Sequence, residues 1–147
     1  MKKIISTLLL ICAITMAFSG VKSQAYADEY CQGKAMAVYE GNSGTLLYKK
    51  NAYEHLAIAS TTKIITCIVA IENYADLDKE VNVSDKAVGI EGTSIYLKKG
   101  EVIKFKDLLY GLMLASGNDC AVAIAEEVAG EENFVAMMNE YAAQLGC

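Results

Sequence analysis

A single histidine, His55, in a stretch without helical or strand patterning, leaves the chain short of the commonest general base. A G-x-S-x-G nucleophile elbow is excluded too, because Ile58 and Thr62 stand where its glycines would flank Ser60. With one histidine and no C-x-x-C pair among five cysteines, no zinc site is expected, and neither a metal nor another cofactor is called for. Basic residues are in the minority, giving a net charge of −5 over 147 residues. That balance argues against nucleic acid or an anionic membrane surface as partner, since both attract basic patches. Internal repeats, linkers and low-complexity stretches are also missing. Proline is absent altogether, an omission for which the sequence offers no physical reason.

What is present begins with an export pattern. Lys2 and Lys3 give a positive start, residues 4–18 form an apolar core, and Ala25-Tyr26-Ala27 supplies small residues at both recognition positions. Residues 1–27 are therefore predicted to be a secretory signal peptide, and the chain to be exported. The apolar core is short for a bilayer span. A lipoprotein site at Cys12 is disfavoured by Ile11, where a small residue is wanted. Cleavage would leave residues 28–147, enough for one domain, with ten lysines against eighteen acidic residues and a net charge of −8. Cys31, Cys67, Cys120 and Cys147 would remain. An even count in an exported protein permits disulfides, but these spacings match no framework, and Cys67 and Cys120 read as small buried hydrophobes.

Residues 35–40 and 45–50 are strand-like runs joined by Gly41-Asn42-Ser43-Gly44, a hairpin signal. A helix is expected from Ser60 to about Tyr74. Ile64, Ile65, Ile68, Val69 and Ile71 make it apolar nearly all round, as for a helix buried in the interior. Residues 80–84 read as a short extended piece, and residues 91–98 and 101–104 flank a turn at Lys99-Gly100. A further helix over 105–115 turns Leu108, Leu109, Leu112 and Met113 inward. Ser116-Gly117-Asn118 breaks it, and Asp119 is placed to cap the next helix, which runs to about Ala129. Phe134, Met137, Met138, Tyr141 and Leu145 trace a 3.6-residue stripe on a last helix.

The chemistry concentrates in two elements, Ser60-Thr61-Thr62-Lys63 and Ser116-Gly117-Asn118. Residues three apart on a helix share a face, so the Lys63 amine can reach the Ser60 hydroxyl. A serine hydroxyl is a weak nucleophile until a neighbour takes its proton, and lysine is the base on offer. A lysine inside an apolar helix is costly unless paired or functional. A nucleophile at a helix start also gains from unpaired N–H groups and the helix dipole, which favour charge developing on an attacked carbonyl oxygen. The plainer readings are an N-cap serine at 60 and a helix-breaking turn at 116–118.

In these two elements and their surroundings the chain resembles the serine-type D-alanyl-D-alanine carboxypeptidases, the low-molecular-mass penicillin-binding proteins. The resemblance rests on residues 59–66 (ASTTKIIT) and 108–119 (LLYGLMLASGND), with 134–139 and 142–146 in support. It implies an α+β fold, β-lactamase/penicillin-binding-protein-like, in which an antiparallel sheet is flanked by helices beside a helical lobe. It also implies Ser60 as nucleophile, Lys63 as base, Ser116 as proton relay, and Asn118 as a substrate-binding residue that helps orient Lys63. The substrate would be a peptidoglycan stem peptide ending in D-Ala-D-Ala, with β-lactams as covalent inhibitors. The place of action would be the outer face of the cytoplasmic membrane and the cell wall or periplasm, with membrane association only through a C-terminal anchor. The family's third motif, K-T-G, does not occur; Lys98-Lys99-Gly100 precedes the S-x-N element. Residues 28–147 are therefore expected to be the N-terminal portion of the catalytic domain. In the family the missing strand carries the second oxyanion donor and a cationic group for the substrate carboxylate. A related β-lactamase or β-lactam sensor, or a non-catalytic copy, are the alternatives. Gly117 favours the carboxypeptidase, since class A β-lactamases usually carry Asp there. Asp119, Glu126 and Glu127 read as cap and solvated-face charges, and Tyr96 and Tyr110 could line a cleft, with an amphipathic core position the plainer reading of each.

Overall fold

The computed structural model describes residues 31–147, and the signal-peptide reading lies outside the described residues. The chain divides into two compact units, with the boundary after Leu56.

The described part of the first unit is the expected hairpin. Strands β1 (Met36–Tyr39) and β2 (Leu46–Lys50) pair antiparallel, with Met36 opposite Lys50 and Tyr39 opposite Leu46. The register slips between Val38 and Tyr39, leaving a bulge at Leu47, which is exposed. The connection is closed by Glu40. Its backbone N–H donates to the Thr45 carbonyl, and its carboxylate accepts the N–H groups of Asn42 and Ser43. Gly44 supplies the positive φ that the return needs. Donors from Ser43 and Asn42 hold the Glu40 carboxyl down to about 2.

The second unit is mostly helical. Helices α1 (Thr62–Asn73), α2 (Phe105–Leu114), α3 (Asn118–Val128) and α4 (Glu131–Gln144) surround one core. Strands β3 (Glu80–Asn82) and β4 (Val102–Lys104) form a two-stranded antiparallel patch beside them, with Val81 opposite Ile103. Both units together thus combine helices with small antiparallel sheets, as an α+β class requires. On α2 the i, i+3, i+4, i+7 pattern of Phe105, Leu108, Leu109 and Leu112 buries one face. Phe105 also stacks on Tyr74, ring centroids 3.9 Å apart. Phe134 anchors α4 in the same core, to which α3 contributes Ile124. Gly130, at φ +82°, makes the turn between those two helices. Among the described residues no helix is long and apolar enough to cross a membrane.

Several expectations require correction. Helix α1 is not buried all round: Thr66, Val69 and Ala70 face inward, whereas Ile64 and Ile71 are about half exposed, at 51% and 49%. Strand β4 pairs with β3, and residues 91–98, on the other side of the Lys99-Gly100 turn, form no strand. Leu145 leaves the α4 stripe for solvent, because the helix ends at Gln144 and the chain turns away. Tyr96 and Tyr110 are largely exposed, and Met113 is 46% exposed. Cys67 is half-buried, whereas Cys120 is buried as expected. Glu126 and Glu127 are partly covered rather than freely solvated. Glu126 accepts from the Ser84 hydroxyl, and Glu127 accepts from Tyr74 Oη at 2.5 Å and Lys79 Nζ at 2.8 Å.

Candidate active site

Ser60 sits in a 3-10 turn (Ala59–Thr61) that runs directly into α1. The turn is entered through Ala59 at φ +46°, a left-handed conformation unusual for a residue with a Cβ. Thr61 fixes it by donating both its N–H and its hydroxyl to the Ile58 carbonyl, at 3.1 and 2.6 Å. One turn later Lys63 points back along the same face, its Nζ 3.4 Å from Ser60 Oγ.

The other side of the site is the junction between α2 and α3. Ser116 lies there at φ +57°, a second non-glycine residue in the left-handed region. Such conformations cost energy and persist only where the surroundings hold them. Its hydroxyl is 3.0 Å from Ser60 Oγ and 3.0 Å from Lys63 Nζ. Lys63 Nζ also donates to the Ser116 carbonyl at 2.8 Å and to Asn118 Oδ1 at 2.6 Å. All four residues singled out in the sequence therefore meet at one point, although two of them lie more than fifty residues from the other two. Gly117 is required sterically: a Cβ there would stand 2.8 Å from Asp119 Oδ1 and 2.9 Å from Cys120 Sγ.

The hydrogen-bond arithmetic limits what this cluster can do. An ammonium has three protons, and the three closest acceptors of Lys63 are the Ser116 carbonyl, Ser116 Oγ and Asn118 Oδ1. Ser60 Oγ, the most distant, is linked to the amine equally well through the Ser116 hydroxyl. Ser60, Ser116 and Lys63 thus form a triangle of proton-carrying atoms with sides of 3.0, 3.0 and 3.4 Å. Beside it lies a cleft of about 470 Å³, with Ser60 and Lys63 at its polar end and Val122, Phe134 and Met138 along its apolar wall. No group of three or more His, Cys, Asp or Glu among the described residues is arranged to hold a metal.

One neighbour has a different role from the one read in the sequence. Asp119 is not a solvated cap: it is completely buried. Its carboxylate accepts the Ser94 hydroxyl at 2.6 Å, the Leu97 N–H at 3.0 Å, the Ile95 N–H at 3.1 Å and the Cys120 N–H at 2.9 Å. Burial by itself would raise its pKa, but the donors from Ser94, Leu97, Ile95 and Cys120 outweigh it and hold the carboxyl below its ordinary value. The segment that Asp119 grips, residues 91–97, also borders the site, since Asn118 donates its N–H to the Thr93 carbonyl and its side-chain amide to the Glu91 carbonyl, each at 2.7 Å. Sequence reasoning missed this segment, because it carries no helical or strand periodicity.

A profile of the D-alanyl-D-alanine carboxypeptidase family matches residues 22–147. The chain is similar to the D-alanyl-D-alanine carboxypeptidase DacF of Bacillus subtilis, with 37% identity over 99% of this chain and 40% of that protein. Its similarity to D-alanyl-D-alanine carboxypeptidase DacC of Escherichia coli is 36% identity over 77% of this chain and 31% of the other. Among solved structures, the D-alanyl-D-alanine carboxypeptidase DacD of Francisella tularensis superposes with a TM-score of 0.73 at 30% identity, over 79% of this chain and 29% of that one. Penicillin binding protein 5 of Haemophilus influenzae gives 0.72 at 29% identity, over 77% and 35%. The chain thus spans well under half the length of these relatives.

Proposed function

This chain belongs to the D-alanyl-D-alanine carboxypeptidase family, and we propose that it carries the nucleophile, base and proton relay of a serine carboxypeptidase acting on peptidoglycan stem peptides. The supporting observation is the triangle of Ser60 Oγ, Ser116 Oγ and Lys63 Nζ, with Asn118 fixing its third corner. Ser60 Oγ attacks the carbonyl carbon of the penultimate D-alanine, and its proton passes to the neutral amine form of Lys63, directly or through Ser116. The oxyanion of the tetrahedral intermediate is met by the Ser60 N–H, at the start of a helical segment whose dipole favours negative charge. Collapse breaks the C–N bond, and the leaving amine takes a proton from the Ser116 hydroxyl, replenished by Lys63. Terminal D-alanine departs, and water then cleaves the Ser60 ester.

A β-lactam mimics the D-Ala-D-Ala end and traps the same ester, so penicillins are the expected covalent inhibitors. On this reading it works outside the cytoplasmic membrane, in the cell wall or periplasm, after export directed by residues 1–27. In the family the K-T-G strand completes the site, so the test joins this chain to the K-T-G-bearing remainder of a relative. A fluorescent penicillin should label it at Ser60, located by mass spectrometry of the modified peptide. Ser60→Ala should abolish labelling, and Lys63→Ala should slow it by about a hundredfold or more, as for loss of a general base. An adduct on Ser116, or label surviving in Ser60→Ala, would overturn the role assignment. Turnover of penicillin in place of stable labelling would favour the β-lactamase reading, and no label at all the non-catalytic one.

A further inference from the structure

We propose that Asp119 is a positioning residue for this site: through segment 91–97 it holds the Asn118 amide with its oxygen toward Lys63. The inference rests on reading Ser60 and Lys63 as nucleophile and base.

The two ends of an Asn amide have nearly the same shape and opposite hydrogen-bonding character. Lys63 needs the oxygen end, 2.6 Å away. The choice is enforced from behind, where the Glu91 carbonyl accepts from Nδ2 at 2.7 Å. Flipping the amide would set its NH2 against the lysine amine and its oxygen against the Glu91 carbonyl, two unfavourable contacts at once. The Asn118 main chain is pinned by the same segment, its N–H donating to the Thr93 carbonyl at 2.7 Å. Between these two carbonyls Gly92 adopts φ +93°, and a Cβ there would stand 2.7 Å from Asn118 Nδ2. The backbone at 91–93 therefore selects the orientation of the amide.

That backbone belongs to no helix or strand, so something else must keep it in place. Asp119, the residue following Asn118, takes four donors, three of them from positions 94, 95 and 97. Its grip also spans Tyr96, which is held at φ +65°. Asn118 and Asp119 thus clasp one segment at successive points, 91 and 93 through the amide residue, 94 to 97 through the carboxylate. A buried carboxylate whose acceptors are all used is a stiff anchor, because releasing any donor leaves a buried polar group unpaired.

The first test is native-state hydrogen exchange on the full chain, read at the Asn118 and Leu97 amides with Val69 in α1 as internal control. Asp119→Asn, which places an amide where N–H donors point, should speed exchange at Asn118 and Leu97 by about tenfold or more and leave Val69 unchanged. Ser94→Ala, which removes one donor, should produce a smaller change at the same amides, and it decides the matter if Asp119→Asn fails to fold. Unchanged protection at Asn118, or an equal loss at Val69, overturns the proposal.

The second test uses the chain joined to a relative's K-T-G segment. Asp119→Asn should slow penicillin acylation by about a hundredfold, the scale of an ångström of misplacement. In an Asn118→Ala background it should cause no further slowing, because Asp119 acts through Asn118; multiplying effects in the double variant would overturn the proposal. If the wild-type chain takes no label, the functional reading fails, and hydrogen exchange still decides the clasp.

Discussion

Replacing Gly111 with alanine sets two opposing effects against each other, and the structure says which prevails. Gly111 lies inside α2, where glycine costs about 0.5–1 kcal/mol relative to alanine, so propensity alone predicts stabilisation. The added Cβ, however, would stand 2.6 Å from Cys120 Sγ and 3.0 Å from Ile95 Cδ1. Ile95 can swing the end of its side chain. Cys120 has no exposed surface, and its sulfur must move about 0.8 Å to restore the 3.4 Å of ordinary contact. Overpacking of this kind costs about 1–3 kcal/mol, so the net effect is destabilisation by roughly 0–2.5 kcal/mol. For a unit of this size each kcal/mol lowers the melting temperature by about 4–8 °C, giving an expected drop of up to about 20 °C in a far-UV circular dichroism melt. Cys120→Ala removes the obstructing sulfur, so Gly111→Ala should cost much less in that background. A melting temperature that rises on Gly111→Ala, or a penalty undiminished by Cys120→Ala, would refute the packing argument.

Two further outcomes follow from the same neighbourhood. The folded-state pKa of Asp119 is depressed, so its contribution is present above the unfolded-state value of about 3.9 and is lost as pH falls through the folded value. Urea midpoints measured from pH 6 to pH 3 should fall more steeply below about pH 4 in the wild type than in Asp119→Asn, and parallel acid limbs would contradict the assignment. Burial, followed by the charge of Asp119, pushes the Cys120 thiol up to about 12. Iodoacetamide at mildly alkaline pH should therefore modify exposed Cys147 and spare Cys120 in the folded chain; equal rates by peptide mass mapping would show that the α2–α3 packing is wrong.

Features that depend on neighbours along the chain are legible in the order of residues. Lys63 lies one helical turn from Ser60, and that spacing alone puts the amine on the serine's side. The hairpin around Gly41-Asn42-Ser43-Gly44, the apolar face of α2 and the break at Ser116-Gly117-Asn118 are equally local, set by turn chemistry and by the 3.6-residue period. Features that depend on which surfaces meet come only from packing in three dimensions. Packing carries Ser116 and Asn118 across more than fifty residues of chain to Ser60 and Lys63. It left Ile64 and Ile71 half exposed on a helix whose composition suggests full burial. It also reassigned Asp119. At the start of a helix an aspartate satisfies the local pattern as a cap, and nothing in the order of residues distinguishes a carboxylate facing water from one facing inward. Only the packing of the unpatterned segment 91–97 against α3 takes that charge out of solvent and surrounds it with donors. A buried charge persists only where such donors converge, and their convergence is a property of three-dimensional packing.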